Sequence, residues 1–79
     1  MDYEMLRSFR NDRNPFSARL GIYVEELRPG YARAVKTVTE EDLNPVSVPH
    51  GGVYFSLADT ACGSAMAAYG TMAVTINCS

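Results

Sequence analysis

The stretch His50–Gly70, reading HGGVYFSLADTACGSAMAAYG, limits what this chain can fold into more than any other. It is dense in Ala, Leu and Met and carries no β-branched run after Val53, which favours a helix. A helix of this length extends about 30 Å at about 1.5 Å per residue. Its only formal charge is Asp59. Apolar or small residues occupy every other side, so the pattern predicts a helix from about Gly51 to Tyr69 that is buried all round. A carboxylate in such a helix is costly unless it is paired, solvated or used in chemistry. The rest of the chain is expected to wrap this helix.

The flanking sequence supplies that wrapper. Asp2 is placed to cap a short helix running to about Asn11, with Arg7 and Arg13 outward, and Asn14-Pro15 ends it. Phe16 then anchors the connection in the core. Leu20–Arg28 alternates as a strand, with Leu20, Ile22 and Val24 on one face. Pro29-Gly30 is a turn signal, and Tyr31–Thr39, rich in Val and Thr, is a second strand. The two form an antiparallel hairpin with Glu26 facing Arg33. Glu40-Glu41-Asp42 reads as an exposed turn. A proline-stiffened loop, Leu43–Pro49, then carries Asn44 into His50-Gly51-Gly52. Gly70 is a natural C-cap, and Thr71–Ser79 reads as a third strand with Val74, Ile76 and Cys78 on one face. The expected fold class is α+β, a long central helix packed on an antiparallel sheet. Its core is the helix against Ile22, Val24, Val35, Val38, Val74 and Ile76.

Composition narrows the function classes. A chain of 79 residues is one domain, 1–79. A net charge of −2 with no basic stripe argues against a nucleic-acid partner. Asp2, Glu4 and Arg7 interrupt any apolar run at the start, so no signal peptide is expected. A membrane span is not expected either, because Asp59 near the helix centre would cost about 2.5–3.5 kcal/mol on an insertion scale. Cys62 and Cys78 lack metal-type spacing and read as free thiols in a reducing, cytoplasmic compartment. Asn77-Cys78-Ser79 matches a glycosylation pattern by chance on this reading. With no Walker loop, dinucleotide fingerprint or metal cluster in the sequence, no cofactor and no metal are expected.

Asn44, the His50-Gly51-Gly52 triplet and Leu57-Ala58-Asp59-Thr60-Ala61 together resemble the signature of hotdog-fold thioesterases of the PaaI-like (phenylacetic acid degradation) group. The lead-in Phe16…Leu20-Gly21-Ile22 and the end Val74-Thr75-Ile76-Asn77 are similar to that group as well. The resemblance covers nearly the whole chain, and the chain is expected to represent about the first half of the family's fold, a truncated hotdog-like domain. It implies hydrolysis of an acyl-CoA or related acyl thioester. Two alternatives stand beside it: a derivative that folds and self-assembles without catalysis, and an acyl- or CoA-binding module.

The residues themselves allow the chemistry. Gly52 lies at a helix start, where backbone N–H groups lack internal partners and the helix dipole is positive. Glycine lets a substrate carbonyl approach closely, so this is an oxyanion-hole arrangement in principle. Asp59 can act as general base on water or as nucleophile, and Asn44 can hydrogen-bond the water or carbonyl. The resemblance implies the same catalytic roles for Asp59, Gly52 and Asn44, with His50 positioning the turn, and sets Gly51 and Thr60 against the substrate. Equally, His50 can serve only as a helix cap, Gly51-Gly52 only as a tight helix entry, and Asp59 only as a paired core carboxylate.

Gly52 and Asp59 are seven positions apart, or about 10.5 Å along one helix. One carbonyl cannot lie about 3 Å from both. A catalytic site therefore needs Asp59 from a second chain, with two such helices antiparallel, and the family is similar in building its sites at a dimer interface. An all-round apolar helix and open strand edges on Tyr31–Thr39 and Thr71–Ser79 point the same way. The expectation is a homo-oligomer, a dimer or higher, with strand exchange as one route to closing the sheet.

Overall fold

The computed structural model describes residues 1–77. Helix α1 spans Tyr3–Asp12, capped by the Asp2 carboxylate, which accepts a hydrogen bond from the Met5 N–H at 3.0 Å. Asn14-Pro15 does more than end it. Asn14 accepts from the Ser17 N–H at 3.1 Å and Pro15 occupies the first turn, so a second helix, α2, runs Pro15–Leu20. Gly21 ends α2 in the left-handed conformation, at φ 73°. Phe16, expected in the core, is 52% exposed, because α2 turns its buried side to Ser17 instead.

Strands β1 (Tyr23–Arg28) and β2 (Tyr31–Val35) form the antiparallel hairpin. The register shifts between Val24 and Glu26. This bulge lets Ile22 and Val24 point inward before it and Leu27 after it, where strict alternation would have buried Glu26. Glu26 faces Arg33 as expected, and Arg33 lies 3.5 Å from Glu25 and 3.8 Å from Glu26. β2 stops at Val35, short of Thr39, because Lys36 turns in to the Asp42 carboxylate at 3.0 Å and also donates to the Leu20 carbonyl. The turn Glu40–Asp42 is a 3-10 helix, and only its first two residues are exposed. Asp42 is buried. The Thr39 N–H at 2.8 Å, and after it Lys36, hold its carboxyl below the usual carboxylate range. Arg7, expected outward, reaches back to the Val24 carbonyl and the Tyr23 hydroxyl. Its pairing with Glu4 lowers the Glu4 pKa, and Glu4 and Tyr23 raise that of Arg7.

Helix α3 spans Gly51–Ala67, and the chain reverses at Gly70, at φ 84°. The core is Val24, Leu27 and Ala68, with Leu6 and Ala32 packed against it. The Gly30 N–H donates to the Ala65 carbonyl at 3.2 Å and ties the hairpin turn to the end of α3. Helices plus a two-stranded antiparallel sheet make the α+β class, consistent with part of a hotdog fold.

Further expectations fail. Within one chain α3 is not buried all round: Val53, Ser64 and Ala68 face inward, whereas Tyr54, Phe55, Met66 and Tyr69 are about half exposed or more, flanking exposed Ala58, Asp59 and Cys62. A hairpin and one short helix can cover only one side of a helix. The third strand is also absent among the described residues. Residues 71–77 are irregular, and Val74 and Ile76 are 86% and 96% exposed. Gly70 turns this segment back along α3, where Thr75 bonds Asp59, so it never meets a sheet edge. Val38 is likewise outside the core, at 49% exposure. Cys78 and Ser79, the end of the expected strand, lie outside the described residues. No helix among the described residues is long and apolar enough to cross a membrane.

Candidate functional site

The loop before α3 is closed by its own polar groups. Asn44 donates its N–H to the Val48 carbonyl at 2.8 Å, and its Oδ1 accepts from the Val46 and Val48 N–H groups at 3.0 and 3.3 Å. The side-chain oxygen is therefore spent on the loop, and Nδ2 is the end left to meet a ligand. A bridge between Leu43 and Pro49 and a left-handed Ser47, at φ 62°, complete the turn.

The loop delivers His50 to the start of α3. The His50 N–H donates to the Asp42 carbonyl at 2.7 Å, so the buried Lys36–Asp42 pair fixes where the helix begins. The His50 ring then caps the helix, with Nδ1 accepting from the Gly52 N–H at 2.9 Å. Gly52 was expected to offer an unpartnered N–H; it is partnered by the ring. The Val53 N–H is also used, by the His50 carbonyl at 2.9 Å. Among the described residues the Gly51 N–H makes no hydrogen bond. A Cβ at Gly51 would meet nothing within 4 Å, whereas one at Gly52 would lie 3.3 Å from His50 Nδ1. Space for an incoming group is therefore largest at Gly51, and Gly52 opens fully only when the exposed imidazole swings aside.

Two clefts lie along α3. One, of about 310 Å³, is bordered by Leu20, Asp42, His50, Gly52, Val53 and Ser56. The other, of about 680 Å³, takes in Arg10, Phe16, Phe55, Ser56, Asp59 and Thr60. Ser56 borders both and donates to the Gly52 carbonyl at 2.7 Å. The predicted residues are thus divided. His50 and Gly52 lie at the helix start, Asp59 and Thr60 two turns on, and Asn44 in neither cleft. Asp59 is exposed and accepts a hydrogen bond from the Thr75 hydroxyl. Thr60 is half-buried and shares a hydrogen bond with the Ser17 hydroxyl at 3.2 Å, which ties α2 to α3. Among the described residues no group of three His, Cys, Asp or Glu side chains comes together as a metal site would need.

Sequence reasoning missed three contributors. Lys36 and Asp42 hide in a strand end and an acidic turn, and the signal for their pairing was the near-opposite charges six positions apart. Arg10 sits in the last turn of α1, with nothing local to mark that it reaches α3.

Part of the chain is similar to known proteins. The Thioesterase superfamily model matches residues 47–79, from the loop after Asn44 through all of α3. The resemblance is to the thioesterase superfamily. Among curated proteins, the acyl-coenzyme A thioesterase PaaI of Escherichia coli (strain K12) is 42% identical over 59 residues, covering 75% of this chain and 42% of that protein. A protein of Archaeoglobus fulgidus named "Putative esterase" is 40% identical over 60 residues, covering 76% of this chain and 39% of its own length. The chain therefore spans about two fifths of the curated relatives it matches. No solved structure matches it significantly.

Proposed function

We propose that this chain supplies half of an acyl-thioester hydrolase site, shared between two copies, that acts on an acyl-CoA or a related thioester. The observation that carries the proposal is the layout of α3. One uninterrupted helix displays the His50-Gly51-Gly52 entry and Asp59 about 10.5 Å apart, both exposed, beside an uncovered apolar face. Two such helices packed antiparallel bring the Gly52 end of one against the partner's Asp59. Phe55, 54% exposed, and Ser56 then lie midway, on the twofold axis. The names of the curated relatives support the reaction class.

In this arrangement a thioester carbonyl rests on the N–H groups at the start of α3, where the helix dipole is positive. The Gly51 N–H is open, and the Gly52 N–H is exchanged from His50 Nδ1 to the substrate. The partner's Asp59 takes a proton from a water whose oxygen bonds the carbonyl carbon, and the carbonyl π electrons move to oxygen. As that tetrahedral oxyanion collapses, the C–S bond breaks and the thiolate takes the proton back from Asp59. The products are a carboxylic acid and a free thiol. Asn44 Nδ2 orients the water or the carbonyl, and Thr60 and Gly51 border the acyl path.

Thiol release from acyl-CoAs of short, long and aryl chains, measured beside the oligomer mass, tests this. Turnover by an assembly of two or more chains, abolished by Asp59→Asn with the fold retained, is the expected result. Full hydrolysis by the Asp59→Asn protein would remove the mechanism. Saturable binding of acyl-CoA without turnover would select a binding module instead.

A further inference from the structure

The cleft that contains Asp59 also contains a guanidinium that the hydrolysis mechanism does not use. Arg10 crosses from α1 to α3 and donates from Nε to Ser64 Oγ at 2.8 Å. Ser64 is fully buried, so the orientation of the guanidinium is fixed by the core. Gly63 gives it room: a Cβ there would lie 3.2 Å from Arg10 Nη2. The arginines of the hairpin and the first turns are paired with carboxylates, Arg7 with Glu4, Arg28 with Glu26, and Arg33 with Glu25 and Glu26. Among the described residues Arg10, Arg13 and Arg19 make no ion pair, and of these Arg13 and Arg19 lie over the Phe9 and Phe16 rings. The place of Arg10 in the last turn of α1 suits the helix dipole. That placement alone does not explain why it is half-buried, pinned through one nitrogen, and aimed into a cleft with its two terminal nitrogens unclaimed.

We infer that the Arg10 guanidinium docks a carboxylate at the far end of a short acyl group, so that the cleft selects dicarboxylic monothioesters. The inference rests on the thioesterase reading above and names its substrate class. A pinned guanidinium presents two parallel N–H donors, which match a carboxylate or a phosphate. Spacing decides between those two sources. Asp59 and Gly63 are four positions apart, about 6 Å along the helix. The anion must therefore sit about that far from the reacting carbonyl, close to the roughly 5–6 Å between the two carboxyl carbons of an extended five- or six-carbon diacid. The CoA phosphates lie on the other side of the sulfur, beyond the pantetheine arm, several turns away. Phe16 and Phe55 flank the methylene spacer. The cleft is thus polarised, a base at one end and a cation at the other, and a plain alkyl chain would leave the cation desolvated without a partner.

Glutaryl-CoA and valeryl-CoA have the same chain length and differ in the terminal carboxylate. Calorimetric binding to the Asp59→Asn protein and kcat/KM on the unaltered protein should both favour glutaryl-CoA by at least tenfold. Arg10→Gln should bring that ratio close to one by weakening glutaryl-CoA while leaving valeryl-CoA no weaker, since the unpaired cation is gone, and Arg10→Lys, which keeps the charge but not the fork, should restore part of it. Thermal melting checks each variant. If Arg10→Gln fails to fold, the ratio on the unaltered protein and the Arg10→Lys comparison still decide. Equal handling of the two thioesters by the unaltered protein overturns the inference but leaves the hydrolase reading standing. Equal weakening of glutaryl-CoA, valeryl-CoA and free CoA by Arg10→Gln assigns the cation to CoA phosphate and also overturns it. Failure to bind or hydrolyse either thioester removes the hydrolase reading and this inference together.

Discussion

Truncating Val24 and Ile76 separately should separate what the core holds from what the C-terminal segment contributes. Val24 is 2% exposed at the centre of the core, between Leu27, Ala68 and the side chains of α1. Val24→Ala removes two methyl groups, worth about 0.8 kcal/mol each in lost transfer free energy. The cavity adds about 24 cal/mol per Å³ left unfilled, so the total comes to about 2–3 kcal/mol after partial collapse. For a chain of 79 residues each kcal/mol moves the melting temperature by about 4–8 °C, so a fall of about 10–20 °C is expected. Ile76 is the larger side chain, but at 96% exposure Ile76→Ala should cost less than about 0.5 kcal/mol. Circular dichroism melts at one fixed protein concentration measure both. A drop for Ile76→Ala as large as that for Val24→Ala would show residues 71–77 packed as a third strand, and would refute the core described here.

Three further outcomes follow from the polar contacts. His50→Ala removes the acceptor for the Gly52 N–H and should cost about 0.5–2 kcal/mol in a denaturant titration, the usual loss for a helix cap. Asp42, whose folded pKa is lowered by the Thr39 N–H and Lys36, binds its proton more readily when unfolded. Its stabilising effect is complete above the ordinary carboxylate value of about 4 and disappears as pH falls through the lower folded value. Melting followed from pH 7 into that acid window should show a smaller acid-induced loss in Asp42→Asn than in the unaltered protein. Asn44→Ala opens the loop whose Oδ1 bonds two N–H groups, so acyl-CoA turnover should fall together with increased amide exchange at Val46 and Val48.

Much of the fold was legible because local signals were strong. Asp2 acted as the cap its residue type suggests, Gly70 reversed the chain at positive φ two residues past the Ala68 C-cap, Pro29-Gly30 made the turn, and Glu26 met Arg33. The Asn14-Pro15 pair carries the N-cap signal for α2 as plainly as the stop signal for α1. The bulge at Glu25 was hidden because alternation up to Val24 gave no hint that it would slip. The errors at Val38, Val74 and Ile76 share one cause. β-branched residues favour strands, but a strand needs a partner edge, and Lys36 and Gly70 redirect the backbone before either segment reaches one. The candidate site was legible as residue types and only in part as geometry. His50, Gly52 and Asp59 lie on α3 at the expected spacing. That Gly52 gives its N–H to His50, and that Asn44 gives its oxygen to its own loop, depends on side-chain rotamers that spacing does not encode.

The central claim, that Gly52 of one copy works with Asp59 of another, is tested most directly by mixing two inactive proteins. Asp59→Asn lacks the base. Gly52→Val places side-chain bulk where the carbonyl must approach, next to His50 Nδ1. Each alone should release no thiol from an acyl-CoA. After joint refolding, half of the dimers are mixed, and each of these has one site with both defects and one with neither, so about a quarter of the unaltered activity should return. No recovery from a mixture shown by mass to contain mixed dimers would mean that Gly52 and Asp59 act within one chain or not at all, and would contradict the shared site.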